Sequence, residues 1–108
     1  MSRKDTPQAA LEVLVLNTLN RGPNHGFAIT LHIEQASGEL LRIEEGSLYP
    51  ALHRLERDGL VAAEWQTTDK GRRAKVYRLT SLGEARLGEL ERSWSAMSEG
   101  VARVLRFA

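Results

Sequence analysis

The sequence predicts a mainly α-helical domain carrying one small β-hairpin and ending in a long helix. Three observations predict it. Apolar residues recur at helical spacing in four stretches. The period then drops from about 3.6 to about 2 over residues 60–67 and 74–80. A polar loop holding Asp69 and Gly71 divides those two runs, as in a hairpin. The 108 residues amount to one domain's worth of chain, long enough to bury a core without staples.

Thr6-Pro7 opens the first helix, with Thr6 as N-cap and Pro7 where a missing N–H costs nothing. Leu11, Leu14, Val15 and Leu19 form its stripe, and Gly22-Pro23 ends it. The second helix spans about 25–36, with Asn24 as N-cap, Phe27, Ile29, Leu31 and Ile33 as its apolar residues, and Ser37-Gly38 as its stop. Leu40, Leu41 and Ile43 make a short, strand-like link. In the third helix, Leu48, Leu52 and Leu55 share one face. Ser47 is its expected N-cap, Pro50 is expected in its first turn, and Gly59 ends it. After the hairpin, Thr80 or Ser81 opens the last helix, with Glu84 spaced from Ser81 as in a capping box. Leu87, Leu90, Trp94, Met97, Val101 and Val104 then alternate steps of three and four, a heptad seam. The expected division is residues 1–80 as one unit and 81–108 as the C-terminal helix.

Composition is that of an ordinary globular domain, with 42% hydrophobic and 27% charged residues. Without cysteine there is no disulfide, thiolate metal site or cysteine nucleophile. The polar start MSRKDTPQ does not read as a signal peptide, and the longest apolar stretch, residues 11–19, is too short to span a bilayer. A cytoplasmic protein without a membrane partner is the expectation. Net charge is only +1, but it is unevenly spread: residues 1–41 carry −1, residues 42–80 carry +2 and residues 81–108 balance. Lys70, Arg72, Arg73, Lys75 and Arg78 crowd into nine positions without an acid.

If the leucines of the third helix point inward, Ser47, Tyr49, Pro50, His53, Arg54 and Arg57 face outward or flank the exposed side. Hydrogen-bond donors and a ring on a slim helix suit a DNA major groove. The plainer alternative is a solvated face with arginines paired to Glu56 and Asp58. Three helices followed by a cationic ribbon form the winged version of a helix-turn-helix. In that arrangement the third helix enters the major groove, and Lys70, Arg72, Arg73 and Lys75 meet phosphates.

The run Glu45-Gly46-Ser47-Leu48-Tyr49-Pro50-Ala51-Leu52-His53-Arg54-Leu55-Glu56-Arg57-Asp58-Gly59-Leu60-Val61 resembles the signature of PadR-type, phenolic-acid-responsive-like transcriptional regulators. The likeness continues through Glu64-Trp65, Gly71–Thr80 and Gly83, and Leu11–Leu16 and His25–Ile29 fit the family's first two helices. It covers roughly residues 10–83, and the single C-terminal helix matches the family's short branch. The resemblance implies a winged-helix homodimer that represses transcription from a palindromic operator in double-stranded DNA. It assigns DNA contacts to Ser47, Tyr49, Pro50, His53 and Arg54 on the helix, and to Gly71, Arg72, Arg73 and Lys75 on the wing. It also implies release by a small aromatic or cationic effector near the dimer interface.

The seam supports dimerisation independently, because an apolar stripe must be buried somewhere. Leu87, Leu90, Trp94, Met97, Val101 and Val104 are the expected interface, with folding back on the first helix as the alternative. Leu82, Ala85 and Leu87 are expected to pack on the body. Gly88 and Gly100 each weaken an exposed helix by roughly 1 kcal/mol. Trp94 and Met97 suit effector contact as well as interface packing, and Trp65 and Tyr77 are expected to brace the wing from opposite strands. His25, His32 and His53 do not cluster as metal ligands, and no cofactor is expected. No phosphate loop or catalytic triad points to an enzyme. The function expected is a dimeric DNA-binding repressor. The alternatives are an aromatic-compound or multidrug binder and a winged-helix protein-interaction module without a DNA role.

Overall fold

A computed structural model describes residues 4–107 and arranges them as β1 (Lys4–Asp5), α1 (Gln8–Asn20), β2 (Asn24–His25), α2 (Gly26–Ala36), β3 (Leu41–Arg42), α3 (Glu45–Arg57), β4 (Val61–Thr67), β5 (Arg73–Leu79) and α4 (Ser81–Arg106). Met1–Arg3 and Ala108, the outer ends of the two expected units, lie outside the described residues. The mainly helical class, the hairpin and the long last helix are all present.

Helix α1 is the hub. It buries Leu11, Val13, Val15, Leu16 and Leu19, more than one stripe, because α2, α3, α4 and β5 all pack on it. A helix apolar on several faces belongs inside. The buried hydroxyl of Thr18 is satisfied by donating to the Leu14 carbonyl at 2.8 Å. Around this hub lie Ile29, Ile33, Ile43, Leu48, Ala51, Leu52, Leu55, Leu60, Val61, Tyr77 and Leu87. Helix α2 contributes only Ile29 and Ile33 to that cluster, whereas Phe27 and Leu31 face solvent (65% and 42% exposed), contrary to the expected stripe.

Helix starts differ from expectation in their caps. Thr6 does not cap α1; its Oγ1 donates to the Arg42 carbonyl, tying the N-terminal strand to β3, and Pro7 is the N-cap. His25, not Asn24, caps α2, with Nδ1 accepting from Ala28 N–H, while Asn24 Oδ1 accepts from His25 N–H. Helix α3 is capped at Glu44 and so starts earlier than a Ser47 cap requires; Pro50 therefore falls in the second turn, and the Gly46 carbonyl has no i+4 donor. Thr80 caps α4 and accepts from Gly83 N–H, so the alternative Ser81–Glu84 box is not formed.

Helix ends follow the glycines. At α3, Gly59 N–H donates to Glu56 O and Leu60 N–H to Leu55 O, a Schellman pair made possible by a φ of +75° at Gly59. That stop delivers the chain directly into β4.

The hairpin is longer in partners than expected. β5 pairs antiparallel with β4 from Val61–Leu79 to Thr67–Arg73, and on its other edge with β2, through Asn24–Tyr77 and His25–Val76. The wing is therefore rooted in a three-stranded sheet whose third strand is too short to show a period in sequence. Thr80 N–H donates to the Leu60 carbonyl, so α4 leaves from the wing's base. Helix α4 then rests on α1, where Asn17–Glu91 (3.1 Å) and Arg86–Glu12 (3.5 Å) link the two. It runs unbroken through Gly88 and Gly100. Gly83 is required at its start, since a Cβ there would meet the Leu60 carbonyl oxygen and Leu79 Cδ1. Leu87 is buried, but Leu82 and Ala85, expected on the body, are exposed.

Candidate nucleic-acid interface

The site is built on α3. Its inward face is Leu48, Ala51, Leu52 and Leu55, all buried, which fixes the opposite face outward. Tyr49, Pro50, His53 and Arg57 are exposed, and Ser47 and Arg54 are half-buried. Arg54 lines a hollow with Gln8, Ala9 and Glu12 of α1, on the flank away from the wing. Arg57 Nε lies 3.4 Å from Asp58 Oδ1, an exposed neighbour pair of little energetic weight.

The wing presents one face to α3. Residues directly opposite on paired strands share a face, so Ala63, Trp65 and Thr67 of β4 stand with Tyr77, Lys75 and Arg73 of β5. Arg73 lies over the Trp65 ring, 5.1 Å from its centroid, and Lys75 lies over the Tyr77 ring at 5.5 Å. Tyr77 is 5% exposed and belongs to the core, whereas Trp65 is 59% exposed. The two rings thus do not brace the wing as one pair; each seats a cation at a different height. At the tip, Gly71 takes a φ of +78°, and Thr68 closes the loop by accepting from Gly71 N–H and donating to the Arg72 carbonyl.

Between the two lies a groove of about 740 Å³. Tyr49 forms its α3 wall, His25, Gly26 and Phe27 form the end at α2, and Trp65, Tyr77 and the basic loop form the wing wall. Lys70, Arg72 and Arg73 open onto it, and none of them is ion-paired among the described residues. Lys75 differs: its Nζ is 3.1 Å from Glu56 Oε1 on α3. That hydrogen bond holds the Lys75 ammonium above its ordinary value, and burial pushes the Tyr77 phenol up. Glu56 thus pairs with a wing lysine rather than with an α3 arginine.

The structure brings Tyr49, Lys70, Arg72, Arg73 and Lys75 around one groove, with Pro50 and His53 on the adjoining exposed face. It leaves Ser47 and Arg54 on the far flank. Sequence reasoning missed Gly26. The Tyr49 ring lies so close that a Cβ on Gly26 would stand 2.9 Å from Cε1 and 3.0 Å from the hydroxyl oxygen. The one local hint is a glycine directly after a helix cap; the ring that demands it lies 23 residues away. Among the described residues no three His, Cys, Asp or Glu side chains cluster as metal ligands, and no helix is long and apolar enough to cross a membrane.

The sequence model of the "Transcriptional regulator PadR-like family" matches residues 15–89, from the middle of α1 to the third turn of α4. The chain belongs to the PadR-like family of transcriptional regulators. A transcriptional regulator of Mycobacterium tuberculosis is 35% identical over 98 residues, which are 91% of this chain and 88% of the relative. A PadR-like transcription factor from Bacteroides fragilis superposes with a TM-score of 0.73 at 36% identity, covering 90% of this chain and 91% of that one. A Streptococcus mutans protein superposes at 0.84 with 28% identity, covering 97% and 94%. This PadR-like chain is accordingly a winged-helix regulator with a C-terminal helix, and not an enzyme.

Proposed function

We propose that this PadR-like regulator binds double-stranded DNA as a homodimer and represses transcription from a palindromic operator. The observation that carries the reading is the groove beside α3. A slim helix with Tyr49, Pro50 and His53 outward fits a major groove, and the three wing-tip cations, without ion pairs among the described residues, stand where the phosphate backbone would pass. Tyr49 and His53 read base edges, Pro50 and Arg57 adjoin them, and Ser47 and Arg54 meet the backbone from the other flank. Gly71 lets the loop turn so that Lys70, Arg72 and Arg73 point the same way.

The dimer is supported by the outer half of α4. Met97, Val101, Val104, Leu105 and Phe107 are 49–90% exposed, and a second copy paired along Met97, Val101 and Val104 would cover them. Two α3 helices would then read half-sites about 34–36 Å apart. Release by a small aromatic or cationic effector fits Trp94 and Met97, where a half-buried ring adjoins that apolar face.

The test is fluorescence anisotropy of the full chain with duplex DNA from upstream of its own gene, scanned in salt against unrelated competitor. Lys70, Arg72 and Arg73 touching phosphates in both subunits give a log K against log salt slope of about −5, which Arg54 on the backbone would steepen to about −7. Tyr49→Ala is expected to erode discrimination between duplexes while retaining that slope. Absence of any salt-dependent binding by the wild type would refute the reading.

A further inference from the structure

Four cations line the wing side of the groove, and one of them has a different neighbourhood. Lys75 Nζ bonds Glu56 Oε1 at 3.1 Å, and the two side chains are only 33% and 35% exposed. Glu56 sits in the last turn of α3, and Lys75 sits midway along β5. Among the described residues this is the one side-chain hydrogen bond that joins α3 to the wing. Lys75 also lies over Tyr77, which is anchored in the core and whose strand is paired to β2. Sheet pairing to β2 stops at Val76, so from residue 75 outward the wing is a two-stranded ribbon. Such a ribbon has little rigidity of its own. The Glu56 contact falls at the first position beyond that support.

We propose that Glu56 and Lys75 form a strut that fixes the spacing between α3 and the wing, and that they determine operator discrimination rather than phosphate affinity. This rests on the DNA-binding reading above and changes the role that the sequence suggested for Lys75. A wing free to pivot still lays Lys70, Arg72 and Arg73 on any backbone, so non-specific binding does not need the strut. Specific binding needs base contacts from α3 and phosphate contacts from the wing in register at the same time. A pivoting wing loses that register. Lys75 already has a counter-charge, so it displaces no counterion from DNA and adds nothing to the salt slope.

The experiment uses the full chain and five forms: wild type, Glu56→Gln, Lys75→Gln, the double variant, and the exchange Glu56→Lys with Lys75→Glu. Each is titrated against a duplex selected from random sequence by the wild type, and against a scrambled duplex of the same length. Lys75→Gln is expected to lose about tenfold on the selected duplex and less than about twofold on the scrambled one, with the salt slope unchanged, and Glu56→Gln, which also frees the Lys75 charge, to lose about tenfold in discrimination between the two duplexes. The double variant is expected to be no worse than either single, and the exchange to recover most of the loss. Lys75→Gln weakening both duplexes alike, with a slope shallower by about 2 per dimer, and Glu56→Gln tightening both, would overturn the proposal. Amide hydrogen exchange without DNA tests the strut separately. Residues of β4 and β5 should exchange faster in both single variants, and wild-type rates there would also overturn it. A wild type that selects no duplex would remove the DNA reading and the discrimination role with it; the exchange rates would still decide whether the strut exists.

Discussion

The wing and α4 are built on one plan and end in opposite chemistry. Each has a base tied into the core and an end that projects from it. At the wing's base, Tyr77 is buried and Lys75 is bonded to α3; at its tip, Lys70, Arg72 and Arg73 have no ion-pair partner among the described residues. At the base of α4, Leu87 is buried, and Leu90 and Trp94 pack against the core; toward its end, Met97, Val101 and Val104 are exposed. What differs is the chemistry of the free end. Unpaired cations seek anions, and an uncovered apolar stripe seeks another apolar surface. The base of each element explains its position, and the end of each points to its partner.

The largest effects should fall at the base of α4. Leu87→Ala removes a side chain that is 3% exposed and is expected to cost about 3 kcal/mol of folding stability, read from urea unfolding at fixed protein concentration. A cost well under about 1 kcal/mol would mean that the seam is not core even here, and the contrast between its halves would fail. The outer half should behave in the opposite way. Val101→Asp combined with Val104→Asp leaves the subunit's own core untouched, so unfolding of the body should shift little. Dissociation of the proposed dimer should become at least about a hundredfold easier, measured by sedimentation. A dimer that survives both charges would place the interface elsewhere.

This contrast also shows what the sequence could reveal. The heptad spacing of α4 is legible from Leu87 to Val104, but periodicity says only that a stripe is buried, not against what. Leu87 meets its own chain and Val101 does not, and only the position of α1 separates the two. The α3 face is likewise legible, since Leu48, Leu52 and Leu55 leave one way for Tyr49 and His53 to point. The pairing of Lys75 with Glu56 escapes the sequence for a physical reason. There Lys75 is one of five cations in nine positions, and its carboxylate lies 19 residues away on another element. The β2 strand escapes notice because two residues cannot show a period of two, and the tight seat of Tyr49 on Gly26 exists only after α2 and α3 have packed.

The wing's tip should show a smaller, uniform effect. Arg73→Ala removes one tip cation per subunit while leaving Tyr77 and the sheet in place. The expected result is about tenfold weaker binding to every duplex tested, with a salt slope shallower by about 2 per dimer. Anisotropy titrations at several salt concentrations check both. An Arg73→Ala variant that loses affinity for one duplex only would assign this arginine to base reading and blur the distinction between α3 and tip.

The wing's base should show the smallest effect, and it is read in alkali rather than with DNA. Glu56 holds the Lys75 ammonium above its ordinary 10.5, and burial raises the Tyr77 phenol above 10.0. In both cases the folded state holds the proton more tightly than the unfolded chain does. A raised folded pKa contributes stability that is complete below the unfolded value and is lost as pH climbs through the folded one. The urea midpoint of the wild type should therefore hold from neutrality to about pH 10 and fall above it. In Glu56→Gln the main cause of the Lys75 shift is gone while Tyr77 remains buried. That variant should start slightly less stable at neutral pH, and its deficit should shrink above pH 10.5 as Lys75 loses its charge in both proteins. Both side chains are about one-third exposed, so solvent screens the pair and keeps the effect small. A deficit that stays constant from about pH 8 to the alkaline limit would show that Glu56 acts through packing rather than through charge. The base of the wing would then resemble the base of α4 in kind as well as in plan.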